Sequence, residues 1–212
     1  MYLVSTEPDI TRIEQLKNKR IALPGRHGLY DELFRHLMIK SGLTPGVDIE
    51  LVYMGSPLEA MQWLHAGEVD MALLAEPQCS AALLKKSAKP LYRSLSIGEI
   101  RKMVDGDDHV PMAGIMVHQR VINHRPDIVS ALRVALQQSV DWTIENPKAA
   151  AQAASSHLSM PTPILESAIP NSRLTAANAK DHHEILKNYF KMVESFKPEL
   201  IGGKVPDDAF YI

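Results

Sequence analysis

The chain has 212 residues, with 23 Lys and Arg against 25 Asp and Glu, 45% hydrophobic and 23% charged residues. This is ordinary globular usage with room for one large domain or two small lobes; it excludes fibrous and disordered architectures and lacks the basic excess of a dedicated nucleic-acid binder. A single cysteine, Cys79, excludes an internal disulfide framework and any multi-cysteine zinc or iron–sulfur site, and no apolar run approaches the ~20 residues of a membrane-spanning helix.

Met1 to Ser5 is a short apolar stretch that ends at Glu7-Pro8-Asp9, and it reads as a strand end leading into a turn. Met1 to Ile10 has neither a basic start nor an apolar stretch, so it is not a secretory signal. The expectation is a cytosolic protein or one whose true beginning lies upstream. Ile13 and Leu16 mark a short helix, Lys17 to Arg20 a basic turn, and Ile21-Ala22-Leu23 a buried strand stopped by Pro24-Gly25. Leu29, Leu33 and Leu37, with Phe34 and Met38, then follow helical spacing up to Ser41, and Gly42 ends the run.

The unit recurs. Ile49 to Tyr53 is a strand, Ser56 an N-cap, Pro57 a first helical residue, and Leu58 to Ala66 a helix. Val69 to Leu74 is a third strand, and Ala75-Glu76-Pro77-Gln78 opens into a helix from Cys79 to Lys86. Leu91 to Leu95 and Ala113 to His118 read as further strands, with Asp105 to Asp108 a polar loop between them. Beyond Arg120 to Asn123 the character turns helical: Pro126 to Asn146, Pro147 to His157, breaks at Pro161 to Pro163 and Pro170, and a last helix from Ala179 to Phe196. Strands alternating with helices predict a parallel sheet covered by helices on both faces, followed by a mostly helical part. Ligands of such sheets sit beyond the carboxyl ends of the strands, here Gly25 to Leu29, Gly55-Ser56 and Ala75 to Gln78.

Several segments resemble one family. Leu16-Lys17-Asn18-Lys19-Arg20-Ile21-Ala22-Leu23-Pro24-Gly25 resembles the start of the second lobe in type II periplasmic substrate-binding proteins of the nitrate/sulfonate/taurine ABC transporter family, the NMT1/THI5-like group. Ala66-Gly67-Glu68-Val69-Asp70-Met71-Ala72 and Glu76-Pro77 are similar to its next segments, as are His124-Arg125-Pro126-Asp127-Ile128-Val129, Trp142 with Asn146-Pro147-Lys148-Ala149-Ala150, and the ending Ile201 to Tyr211. They occur in the family's order over almost the whole chain. The resemblance implies an α/β fold of the periplasmic binding protein type II, with residues 11–112 as the ligand-binding lobe two and 121–212 as the helical C-terminal part of lobe one. Residues 1–10 and 113–120 would be crossover or hinge strands, with Gly114 and His118 near the second crossover. It also implies that the chain starts near the first crossover and lacks the N-terminal half of lobe one. The expectation is therefore a truncated product, or a second copy or second chain that completes lobe one, since bare lobe-one helices expose an apolar face.

By the same resemblance the chain binds a small solute, anionic or sulfonate- or nitrate-like, for an ABC permease in the periplasm, without nucleic acid, cofactor, metal or catalysis. The expected ligand residues are Gly25, Arg26, His27, Gly28 and Leu29, supported by Ser56 and Glu76. Physically, free N–H groups at a helix N-terminus attract anions and Arg26 adds a bidentate clamp; the plainer alternative is a solvated loop whose glycines only permit the turn. No phosphate-loop signature Gly-x-x-x-x-Gly-Lys-Ser/Thr is present. Ser56 reads first as a cap, and Glu76 as either a ligand or hinge contact or a plain salt bridge. Enzymes on this fold, pyrimidine synthases and a desulfinase, give an alternative function, and a ligand-sensing module without transport gives a third. Cys79 and the nine histidines could supply a nucleophile and base, but Cys79 opens an apolar helix where a small buried hydrophobe is the commoner role. His182-His183 point about 100° apart on a helix, so they do not grip one metal together, and Asp105 to Asp108 lacks the downstream Glu of a calcium loop.

Overall fold

The computed structural model describes residues 1–86 and 89–211. Their contacts form two compact units, Met1–Val110 with Met192–Lys204, and Pro111–Lys191 with the residues from Val205 onward.

The first unit holds one five-stranded sheet in the order β3-β2-β4-β1-β5, built from β1 (Tyr2–Ser5), β2 (Arg20–Pro24), β3 (Glu50–Met54), β4 (Met71–Leu74) and β5 (Tyr92–Ser96). β2 runs parallel to β3, with Arg20 opposite Glu50 and Pro24 opposite Met54, and parallel to β4. β1 lies antiparallel between β4 and β5, pairing Tyr2 with both Leu74 and Ser96. Four strands therefore point one way and β1 alone opposes them. The parallel sheet expected from βα alternation is present, with this one reversed strand inserted.

Alternation along each strand divides the core between two faces, because successive side chains leave a strand on opposite sides. Leu3, Ile21, Leu23, Met71 and Leu73 face α1 (Leu29–Lys40) and α4 (Ile97–Asp105), packing with Leu33, Phe34, Leu37, Met38 and Ile100. Val4, Ala22, Ala72 and Leu74 face the other way, toward α2 (Pro57–Ala66) and α3 (Gln78–Leu84), with Ala60, Leu64, Cys79 and Ala82. Each fully buried Leu or Ile contributes about 1.5–3 kcal/mol to this arrangement. Helices start where the local chemistry satisfies their first N–H groups. Ser56 Oγ accepts from Glu59 N–H at 3.2 Å and starts α2, which stops at Gly67 with φ +75. At α4 the Ser96 hydroxyl and Glu99 carboxylate cap one another's backbone N–H at 3.1 and 2.7 Å. α4 lies between segments that read as strand and loop; Ser96, Glu99 and the Ile97/Ile100 spacing are its signal.

The second unit contains α5 (Gln119–His124), α6 (Pro126–Glu145), α7 (Pro147–Leu158), α8 (Thr162–Ala168) and the start of α9 (His183–Phe196), whose last turn from Met192 belongs to the first unit. Its buried apolar residues are few: Ala150, Ala151, Leu165, Ala168, Tyr189 and Tyr211. The 20-residue α6 buries none, and Ile128, Leu132, Leu136 and Trp142 are exposed along it. Ala113 to His118, expected as a strand, carries no strand; the second unit has no sheet among its described residues, and an apolar, β-branched stretch becomes a strand only when another strand takes up its backbone groups. The last helix starts at His183 rather than Ala179, and α3 ends at Leu84.

Candidate functional site

The directions of the strands bring the carboxyl ends of β2, β3, β4 and β5 to one edge of the first unit's sheet. The loops Gly25–Gly28, Gly55–Ser56 and Ala75–Pro77 therefore share that edge with the first turns of α1, α2 and α3 and with Tyr2.

The loop before α1 is shaped by two left-handed residues. Gly25 adopts φ +84 and donates its N–H to Met54 O at 2.9 Å, tying the end of β2 to that of β3. His27 adopts φ +63, and its N–H donates to Asp31 Oδ2 at 2.8 Å. Asp31 is 3% exposed, and its other oxygen accepts the Tyr53 hydroxyl at 2.9 Å; Arg35 also donates to that hydroxyl, at 3.4 Å. Burial, and then the bond to Asp31, raises the Tyr53 phenol above its ordinary range, so Tyr53 remains a proton donor. Over the Tyr53 ring lies the Arg26 guanidinium, 5.0 Å from the centroid. Arg26 is exposed and, among the described residues, has no carboxylate partner. Gly28, two residues after Arg26, is the N-cap of α1, with no side-chain hydrogen bond at the cap. The His27 ring is exposed and approaches Glu32 at 3.4 Å.

The remaining sequence-derived residues are engaged within the protein. Ser56 is the cap of α2, as expected, while the Glu59 carboxylate accepts from Gly55 N–H at 2.7 Å. Glu76 forms the salt bridge: Oε1 meets Arg93 Nη2 at 2.5 Å, Oε2 accepts Ser80 N–H at 3.0 Å, and the side chain is 4% exposed. Cys79 is fully buried beneath this pair, and burial pushes its thiol up to about 11, so it stays protonated near neutral pH and offers no thiolate nucleophile. Elsewhere, Asp105 pairs with Lys40 at 2.8 Å and Asp107 with Arg101 at 2.9 Å; His118 caps α5 by accepting Arg120 N–H, and His183 pairs with Asp208 at 3.0 Å. His27, Asp31 and Glu32 bring one ligand atom each within 4.8 Å of the others, as do Asp107, Asp108 and His109.

Sequence patterns pointed to the loops but not to Tyr53, Asp31 or Arg93. Tyr53 is the penultimate residue of β3 at the edge, and Asp31 follows His27 by four residues, so both had a positional signal. Arg93 had none, because it meets Glu76 only through the strand order.

The NMT1/THI5-like family model matches residues 1–150. Among curated proteins no sequence matches the chain. Solved structures with the same fold include an ABC transporter from Parabacteroides distasonis, with TM-score 0.74 and 22% identity over 100% of this chain and 69% of that one. The periplasmic aliphatic sulphonate binding protein SsuA from Escherichia coli matches with TM-score 0.70 and 17% identity over 100% of this chain and 68% of its own. The desulfurization enzyme DSZB shares the fold at TM-score 0.55 and 15% identity, over 99% of this chain and 72% of that one. These likenesses establish the periplasmic-binding-protein type of fold. No described helix is long and apolar enough to cross a membrane.

Proposed function

The chain belongs to the NMT1/THI5-like family, and from that premise we propose that it is the solute-binding component of an ABC-type uptake transporter, working in the periplasm and delivering a small anionic, sulfonate- or nitrate-like solute to a permease. One observation carries the reading: an exposed arginine over the Tyr53 ring, without a carboxylate partner among the described residues, precedes the uncapped N-terminus of α1 at the carboxyl edge of a sheet. The Arg26 guanidinium supplies two parallel donors for an oxyanion, the N–H groups of Gly28 and Leu29 supply further ones, and the helix dipole favours the charge. Gly25 and His27 give the loop its turn, with the His27 ring at the rim. Ser56 and Glu76 shape the neighbouring loops rather than bind the solute directly. The sulphonate-binding protein of the same fold supports an organic sulfonate as the first probe. In this reading the first unit is the ligand-binding lobe, and a second copy or second chain completes the other.

A thermal-shift screen against nitrate, ethanesulfonate, taurine, amino acids and pyrimidines tests the proposal, since a ligand at a hundredfold its Kd stabilises the folded state by about 2.7 kcal/mol. The expected result is a rise in Tm with at least one anion that disappears in Arg26→Ala. A rise that survives Arg26→Ala places the solute elsewhere, and turnover of a pyrimidine or sulfinate would favour the enzyme reading.

A further inference from the structure

Arg93 lies on β5, which is separated from β4 by β1, yet its side chain reaches the loop after β4. Its Nη2 donates to Glu76 Oε1 at 2.5 Å and to Ser80 Oγ at 3.2 Å. On the way it crosses β1, where its Cζ lies 4.9 Å from the centroid of the Tyr2 ring. One side chain thus touches β1, the β4–α3 loop and the first turn of α3. Glu76 completes the arrangement from the other side, because its second oxygen holds Ser80 N–H. Ala75 and Pro77 have no polar side-chain groups, so Glu76 is the loop's only side-chain tie of this kind. Removing Arg93 would leave the Glu76 carboxylate, 4% exposed, without its countercharge, which costs more than the loss of a surface pair.

We propose that Arg93 is a positioning residue of the solute edge: it draws Glu76 inward and so fixes the Ala75–Pro77 backbone beside the ends of β2 and β4. The inference rests on the reading of that edge as the solute site. Arg93 makes no contact with solute and acts through Glu76. Cys79, the chain's one cysteine, is buried against the pair and reports on it directly, because its thiol reacts only when the loop and α3 open.

The test measures the rate at which DTNB modifies Cys79 in the wild type and in Arg93→Met, Arg93→Lys and Ile100→Val. Ile100 is fully buried on the opposite face of the sheet, so its variant records what general loss of stability does to the rate. Arg93→Met is expected to raise the rate about tenfold, through local opening that Ile100→Val does not produce. Arg93→Lys regains part of the protection, because an ammonium pairs with Glu76 but lacks the fork that also reaches Ser80. A rate in Arg93→Met equal to that of the wild type or of Ile100→Val, or no recovery in Arg93→Lys, overturns the proposal, and Arg93→Lys decides it alone if the Met variant does not fold. Ethanesulfonate affinity is measured in parallel: a wild type that binds is expected to lose about tenfold in Arg93→Met as the edge loosens, and unchanged affinity counts against the inference. A wild type that ignores ethanesulfonate and the other anions refutes the anionic-solute reading, while the labelling rates still decide the role of Arg93.

Discussion

Replacing Asp31 by alanine separates the two jobs of its carboxylate. The side chain accepts His27 N–H at 2.8 Å and the Tyr53 hydroxyl at 2.9 Å, and it lies in the first turn of α1. His27 is exposed, so water replaces that acceptor and the loss is about 1 kcal/mol. The Tyr53 hydroxyl is half-buried and loses its acceptor at about 1–2 kcal/mol, and removal of a negative charge from a helix N-terminus adds about 0.5 kcal/mol. Asp31→Ala therefore costs about 3 kcal/mol, a fall in Tm of about 10 °C for a unit of this size. Asp31→Asn keeps one oxygen as acceptor and loses about half as much. Urea unfolding followed by Trp63 fluorescence in a Trp142→Phe background reads the first unit, which contains α2. In Asp31→Ala the Tyr53 phenol titrates at lower pH than in the wild type, as its second cause of elevation is gone. A loss below about 0.5 kcal/mol for Asp31→Ala, or an unmoved Tyr53 titration, refutes the role assigned to this carboxylate.

Gly25→Ala meets no atom within 4 Å, so its expected cost of about 1 kcal/mol or more is the price of a side chain at φ +84, seen as a lower urea midpoint together with weaker anion binding. His36 stacks on Phe196 at 4.5 Å, and burial first, then Lys40, hold its imidazole below the ordinary 6.5, against the opposing pull of Asp105. The unfolded chain then takes up the proton first, so stability is full above pH 6.5 and falls as the pH drops below it. Urea midpoints at about pH 7.5 and about pH 5 are expected to differ less in His36→Phe, which keeps the stack and removes the titration; an equal difference in both proteins would show that other groups carry the effect.

The βα alternation of the first unit was legible because each part is a local event. Ser56-Pro57 starts a helix, Gly67 stops one, and the apolar runs at Ile21 and Met71 are buried on both faces. The solute edge was legible to the same extent, through the loops that follow β2, β3 and β4. What stayed hidden depends on neighbours distant in the chain. The antiparallel direction of β1 has no mark in the four residues Tyr2–Ser5, since direction is a property of the pairing. Glu76 had an ion-pair alternative, but its partner Arg93 follows from the strand order alone. Ala113 to His118 has the composition of a strand and lacks a strand to join. Pro126 to Asn146 has the periodicity of a packed helix, and α6 forms with nothing buried, because a helix satisfies its own backbone and a strand does not.

The reversed strand also imposes an order on synthesis. β1 leaves the ribosome before either of its neighbours, and Val4 pairs with Ala72 on one side and with Arg93 on the other. Both partners emerge much later, so β1 waits without ladder hydrogen bonds until β4 has been made, and its second side stays open until β5 follows. Pairing so distant in sequence slows folding relative to the local β2–α1–β3 unit, which forms from neighbours. A ribosome paused before Tyr92 would therefore carry β3, β2, β4 and β1 with the outer side of β1 unpaired, the species on which a holding chaperone would act.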